Sequence, residues 1–210
     1  MARIITTIGG SSTSGLTSAQ ALAIAQASEG YEYIKFVPVN GTVSYIDILS
    51  LDTTTYTAFK IICSNLSLGG SGGQTVYFYM GYNNTVHSSG SNYYNSWFSM
   101  LTTTSSITYA GNASAVSGWT ANYFGEGGST YSWNPSFDLQ FTPSKSSMDV
   151  QMWGTVNSLQ VYYNGNIAGS HMSTGGSNPN MFRIYPSNTI TGTTGNNSGV
   201  YVLGIRKRTS

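Results

Sequence analysis

From Tyr31 onward, apolar and polar residues alternate with a period of two, in runs of four to nine residues separated by Gly, Ser, Thr and Asn. Alternation of that period puts every second side chain on one face of a strand, so each run predicts a half-buried β-strand. Runs rich in Tyr, Phe, Val and Ile suit this geometry: Tyr31–Val37, Thr42–Leu49, Thr57–Ser64, Gln74–Tyr82, Tyr93–Met100, Ser106–Tyr109 and Trp119–Phe124. Phe137–Phe141, Met148–Trp153, Phe182–Tyr185 and Val200–Ile205 continue the series. Asn40-Gly41 predicts a turn between the first two runs, and Gly69 to Gly73 a glycine-rich loop. Asn164-Gly165-Asn166, flanked by Leu159–Tyr163 and Ile167-Ala168, predicts a tight hairpin.

Ahead of Tyr31 the pattern differs. Residues 1–15 read as an extended arm. Thr17-Ser18-Ala19-Gln20 then forms a capping box, followed by the helix formers Ala21 to Ala27, with Gly30 placed to end the helix. Its large apolar groups are Leu22 and Ile24, with Leu16 just before it, too few for a helix that must stand alone. The reading is an all-β chain: a single antiparallel β-sandwich or jelly roll over 31–210, with an N-terminal arm and short helix over 1–30.

Charge changes the picture most. Only 15 of 210 residues are charged, or 7%, against about 25% in an ordinary soluble domain. Aromatic residues make up 13%, including 16 Tyr, so the chain has the means to fold and is not disordered by composition. Its polar surface must then be built from hydroxyls and amides, which do not repel copies of the same chain. A net charge of +1 gives no basic stripe for nucleic acid. The one basic cluster, Arg206-Lys207-Arg208, reads as a solvated tail. No apolar run is long enough for a membrane span, so no membrane insertion is expected. Ala21–Ala27 lacks a basic flank and is followed by Glu29, unlike a signal peptide.

Candidate chemistry is sparse. Cys63, the only cysteine, lies in the apolar run Phe59–Cys63 and reads as a small buried hydrophobe. His87 and His171 fall in Ser/Gly-rich stretches with no ligand-type residue at metal spacing, so no metal or other cofactor is expected. Asp138 and Asp149 are the best pair for glycosidase-type acid/base work, but alternation puts Asp138 on the polar face of its strand. No catalytic residue is assigned, and the chain reads as a non-enzyme. Among aromatics, Tyr131 and Trp133, beside Gly127-Gly128 and Pro135, are the candidate glycan contacts.

Met181-Phe-Arg-Ile-Tyr-Pro186, a Ser/Thr/Gly/Asn loop, and Ser198-Gly-Val-Tyr-Val-Leu-Gly-Ile-Arg206 resemble a pattern in small β-sandwich virion proteins of tailed bacteriophages. There, an "I-x-I-x-P" strand is followed by a closing strand of type "G-x-x-x-x-Y-G-I-(K/R)"; Leu203 stands where that Tyr is usual. Tyr45 to Tyr56 leading into Phe59–Cys63 also fits, so the resemblance spans most of 31–206. It implies a structural protein on the exterior of the virion, most simply a capsid decoration or cement protein acting as a homo-oligomer, with a trimer favoured. The implied partners are other copies of the chain, the major capsid protein or other virion proteins, with Leu16, Leu22 and Ile24 as docking anchors. The alternative is a tail fibre or receptor-binding module that takes a host surface glycan.

Overall fold

The computed structural model describes residues 30–69, 74–88, 93–101, 106–116, 118–124, 135–143, 150–158, 163–171, 179–193 and 198–207. Among these residues there are sixteen strands and no helix. The expected arm and helix, and with them Leu16, Leu22 and Ile24, lie outside the described residues. In chain order the strands are β1 Glu32–Pro38, β2 Gly41–Val43, β3 Ile46–Ile48, β4 Tyr56–Ser64, β5 Leu66–Leu68, β6 Gln74–Tyr82, β7 Thr85–Val86 and β8 Tyr93–Leu101. Then follow β9 Ser106–Val116, β10 Trp119–Phe124, β11 Pro135–Pro143, β12 Val150–Ser158, β13 Tyr163–His171, β14 Pro179–Pro186, β15 Ile190–Gly192 and β16 Gly199–Arg206.

All pairings are antiparallel. Eight strands form one sheet in the order β1-β16-β4-β11-β12-β13-β8-β9. Five form a second, β10-β6-β14-β3 with β7 folded back on β6, and β2-β15-β5 form a third. Alternation decides what each strand gives to the interior. Phe59, Ile61 and Cys63 of β4, Leu139 and Phe141 of β11, and Val200 and Val202 of β16 point inward from the eight-stranded sheet. Val76, Phe78 and Met80 of β6 and Phe182 and Ile184 of β14 meet them from the five-stranded sheet. Leu66, Leu68 and Ile190 bring the small sheet into the same cluster.

The joint between the two larger sheets is aromatic. Phe141 stacks on Phe182 with ring centroids 5.2 Å apart and planes only 7° from parallel. Phe59 extends the stack from β4 at 5.2 Å, and Phe78 from β6 at 6.0 Å. Such contacts add a geometric preference to the area they bury. Cys63 is buried in this core, in keeping with its reading as a small hydrophobe, and burial pushes its thiol pKa up.

Three expectations from the sequence need correction. The single strand over Thr42–Leu49 is two, because the chain breaks at Ser44-Tyr45 and gives β2 to the small sheet and β3 to the five-stranded one. The Asn164-Gly165-Asn166 hairpin is not formed; these residues run straight through β13. There Asn164 and Gly165 pair with Asn157 and Val156 on one side and with Met100 and Ser99 on the other. Two continuous ladders outweigh the turn preference of one dipeptide, whose scale is set by context. The C-terminal basic cluster is no solvated tail at its start: Arg206 reaches Glu32 at 2.7 Å, and the Lys207 ammonium donates to the Thr53 carbonyl at 2.8 Å. Arg208 lies outside the described residues.

If the aromatic joint holds the sheets together, Phe182→Ala will lower the free energy of unfolding by about 3–5 kcal/mol, read from urea denaturation. A loss below about 1 kcal/mol would mean that the joint carries little of the stability.

Candidate functional site

Two groups of polar and aromatic side chains stand out, one in the seam between the sheets and one on an outer face. The seam begins at the β6–β7 turn. Asn83 and Asn84 both hold positive φ, 52° and 57°, the left-handed pair that a two-residue hairpin turn requires and that Asn tolerates. The hairpin returns the chain so that the His87 N–H donates to the Met80 carbonyl at 2.8 Å. His87 thereby arrives opposite His171, the last residue of β13, and the Nδ1 of His87 lies 2.9 Å from the Nε2 of His171. Tyr82 Oη completes the row 3.2 Å from His171 Nδ1.

Tyr93 locks this row to both sheets. Its hydroxyl accepts from the Met80 N–H at 2.9 Å and donates to the His87 carbonyl at 2.5 Å. Its ring packs 4.3 Å from His171 and edge-on to Trp119 at 5.1 Å. Trp119 Nε1 in turn donates to the Ser170 carbonyl at 3.3 Å. Sequence spacing alone put the two histidines more than eighty residues apart in loops; the fold brings them into direct contact. Among the described residues, the side chains placed against them are Tyr82, Tyr93 and Trp119. The pair can share a proton, but two adjacent imidazolium ions in this setting would repel. Among the described residues no group of three or more His, Cys, Asp or Glu is placed to hold a metal.

The outer face of the five-stranded sheet is different. On β6, Tyr77 and Tyr79 alternate with the core residues Val76, Phe78 and Met80. On β14, Arg183 and Tyr185 alternate with Phe182 and Ile184, and the register places Arg183 beside Tyr79 and Tyr185 beside Tyr77. The Tyr77 and Tyr79 rings are 6.2 Å apart with planes within 9°, and Tyr185 stands 6.2 and 6.3 Å from them. Next to Arg183, Asp47 of β3 receives a two-pronged ion pair, at 2.6 Å from Nε and 2.7 Å from Nη2. The guanidinium carbon then lies 4.0 Å from the centre of the Tyr45 ring. Tyr45 and Tyr185 are 45% and 39% exposed, so this face presents aromatic surface to water.

The outer face of the eight-stranded sheet carries Lys60, Asp138, Gln140, Gln151 and Thr155 together with Ile62, Tyr201 and Leu203, with Trp153 exposed among them. Asp138 is held by Lys60 at 3.2 Å, and Tyr31 donates to Gln140 at 2.8 Å while lying over Lys60. Asp138 is thus committed to an ion pair on a strand face, as alternation predicts. Asp149, Tyr131 and Trp133 lie outside the described residues. Tyr45, Tyr77, Tyr79 and Tyr185 were visible in the sequence only as strand aromatics; what brings them together is the pairing of β3, β14 and β6.

No protein-family model, curated protein or solved structure matches the chain.

Burial, and then the neighbouring His87, push the His171 pKa down to about 4 from an ordinary 6.5. The unfolded chain therefore binds the extra proton first, so stability is full above about pH 6.5 and falls as pH drops towards 4. The expected loss over that window is on the order of 3 kcal/mol, measured by denaturation at stepped pH. In His171→Phe that slope should flatten; an unchanged slope would assign it to other groups.

Proposed function

We propose that the chain is a non-enzymatic structural protein on the exterior of a virus particle, of the tailed-bacteriophage type, acting as a capsid decoration or cement protein. The observation that carries this reading is how the few charges are used. Arg183 is neutralised by Asp47, Arg206 by Glu32, and Lys60 by Asp138, all within the chain. Lys35 and Lys207 are spent on the carbonyls of Leu49 and Thr53. With 15 charges in 210 residues and these pairings, the surface of the described residues is close to neutral. Such a surface lets copies pack densely, with little repulsion and little dependence on salt.

On this reading the eight- and five-stranded sheets close as a β-sandwich of the jelly-roll kind, which the Phe141–Phe182 stacking supports. The arm and helix over 1–30 dock the domain, through Leu16, Leu22 and Ile24, onto neighbouring copies or the major capsid protein. A homotrimer is the favoured assembly. A second reading, a tail-fibre or receptor-binding module, is favoured by the exposed tyrosine face.

Light scattering on the full chain and on a shortened chain beginning at Tyr31 tests the assembly. The reading predicts a stable oligomer that becomes a folded monomer on shortening. A monomer in both cases would contradict self-assembly.

A further inference from the structure

We infer that the outer face of the five-stranded sheet is a binding platform for a neutral saccharide chain, with Tyr45, Tyr77, Tyr79 and Tyr185 as the stacking rings. The inference rests on the receptor-binding reading and gives it a location. It starts from the contrast between the two outer faces. One mixes Lys60, Asp138, Gln140, Gln151 and Thr155 with Ile62, Trp153 and Tyr201. The other, built by the same alternation, carries four tyrosines around one ion pair. The core closes on the opposite side of the same strands, through Phe78, Phe182 and Ile184, and of the four tyrosines only Tyr79 also packs against it.

The rings are also held in place. Gly118 lies directly beneath Tyr79, where any Cβ would run into Cε1 and Cδ1 of that ring. Tyr79 is therefore braced against backbone on one side and edge-on to Tyr93 at 6.2 Å. Tyr45 is braced by Arg183, itself pinned by two bonds to Asp47. A ring with one side packed and its orientation fixed loses little entropy when a flat ligand covers it. The centroid spacings of 6.2–6.3 Å leave room for about one sugar ring per tyrosine.

The chemistry of the patch selects the ligand. Among the described residues its cation, Arg183, and its anion, Asp47, cancel each other, which disfavours an ionic ligand. The rings offer flat apolar faces, and their hydroxyls and the Thr residues along β6 and β10 add neutral hydrogen bonding. A neutral ligand with apolar faces and a hydroxyl rim is a saccharide. A protein partner of hot-spot type would instead call for a central pocket filled by an apolar anchor, and this surface is a row of rings on a sheet.

The test is calorimetric titration of the full chain with three neutral hexasaccharides: cellohexaose, maltohexaose and hexa-N-acetylchitohexaose. At least one is expected to bind, and Tyr185→Ala or Tyr77→Ala to weaken it by roughly tenfold or more, as truncation of a contact aromatic does. Tyr185→Phe should retain most of the binding, and Gly118→Ala should weaken it by displacing Tyr79. Tyr45 and Tyr185 are exposed, so their alanine variants should keep the unfolding midpoint of the parent and remain informative if Tyr79 variants do not fold. Binding that survives Tyr185→Ala and Tyr45→Ala but is lost in Trp133→Ala would overturn this placement while leaving the receptor-binding reading intact. No binding to any of the three overturns the inference. If Tyr185→Ala then also lowers the oligomer mass, the face belongs to a second copy of the chain.

Discussion

The outward-facing residues of β6 and β14 are positioned by the contact between Phe141 and Phe182. The two rings lie nearly parallel at 5.2 Å, one from the middle of the eight-stranded sheet and one from β14 of the five-stranded sheet. Around them Phe59, Ile61, Phe78 and Ile184 are fully buried. A strand has only two faces, so fixing one fixes the other. Once Phe182 and Ile184 are committed to the core, Arg183 and Tyr185 must face outward, and the same holds for Tyr77 and Tyr79 beside Phe78. A slip of one residue in β14 would bury Arg183 and expose Phe182, and one in β6 would expose Phe78, at a cost the core would not tolerate.

The polar seam at one end of the core follows from the same constraint. Met80 is the last inward apolar residue of β6, and beyond it come polar-tipped side chains: the part-buried Tyr82 and the buried Tyr93, His171 and Trp119. Each spends its polar atom on a backbone group or on another member of the row, which is the condition for placing such groups between sheets. The row pins β6, β7, β8, β10 and β13 to one another. It also makes the seam sensitive to acid, because burial and the neighbouring His87 both oppose a positive charge on the His171 imidazole.

Much of this was legible in the sequence and some could not be. Period-two alternation placed the strands β4, β6 and β16 within a residue or two, because each carries a full run of inward apolar residues, and it found β14 without its first three residues. It missed β5, β7 and β15, which are two or three residues long and too short to show a period. It also joined β2 to β3, since a break that moves the chain between sheets leaves no mark in hydrophobicity. Asn164-Gly165 misled because turn preference is local, whereas the ladders on both sides of β13 are set by distant strands. The charge-poor surface was readable from composition alone. The histidine pair and the tyrosine face were not, because both depend on which strands become neighbours. Tyr45, Asp47, Tyr77, Tyr79, Arg183 and Tyr185 come from three separate segments of the chain.

The account therefore stands on a single cooperative core that serves both large sheets. Native-state hydrogen exchange measures this directly, through the opening free energies of backbone amides in β4 and β11 against those in β6 and β14. One shared core predicts that Ile61, Phe141, Phe78 and Ile184 exchange with a common, largest free energy that falls in parallel as urea is added. A five-stranded sheet that opens by itself, at markedly lower free energy than the eight-stranded sheet, would contradict it.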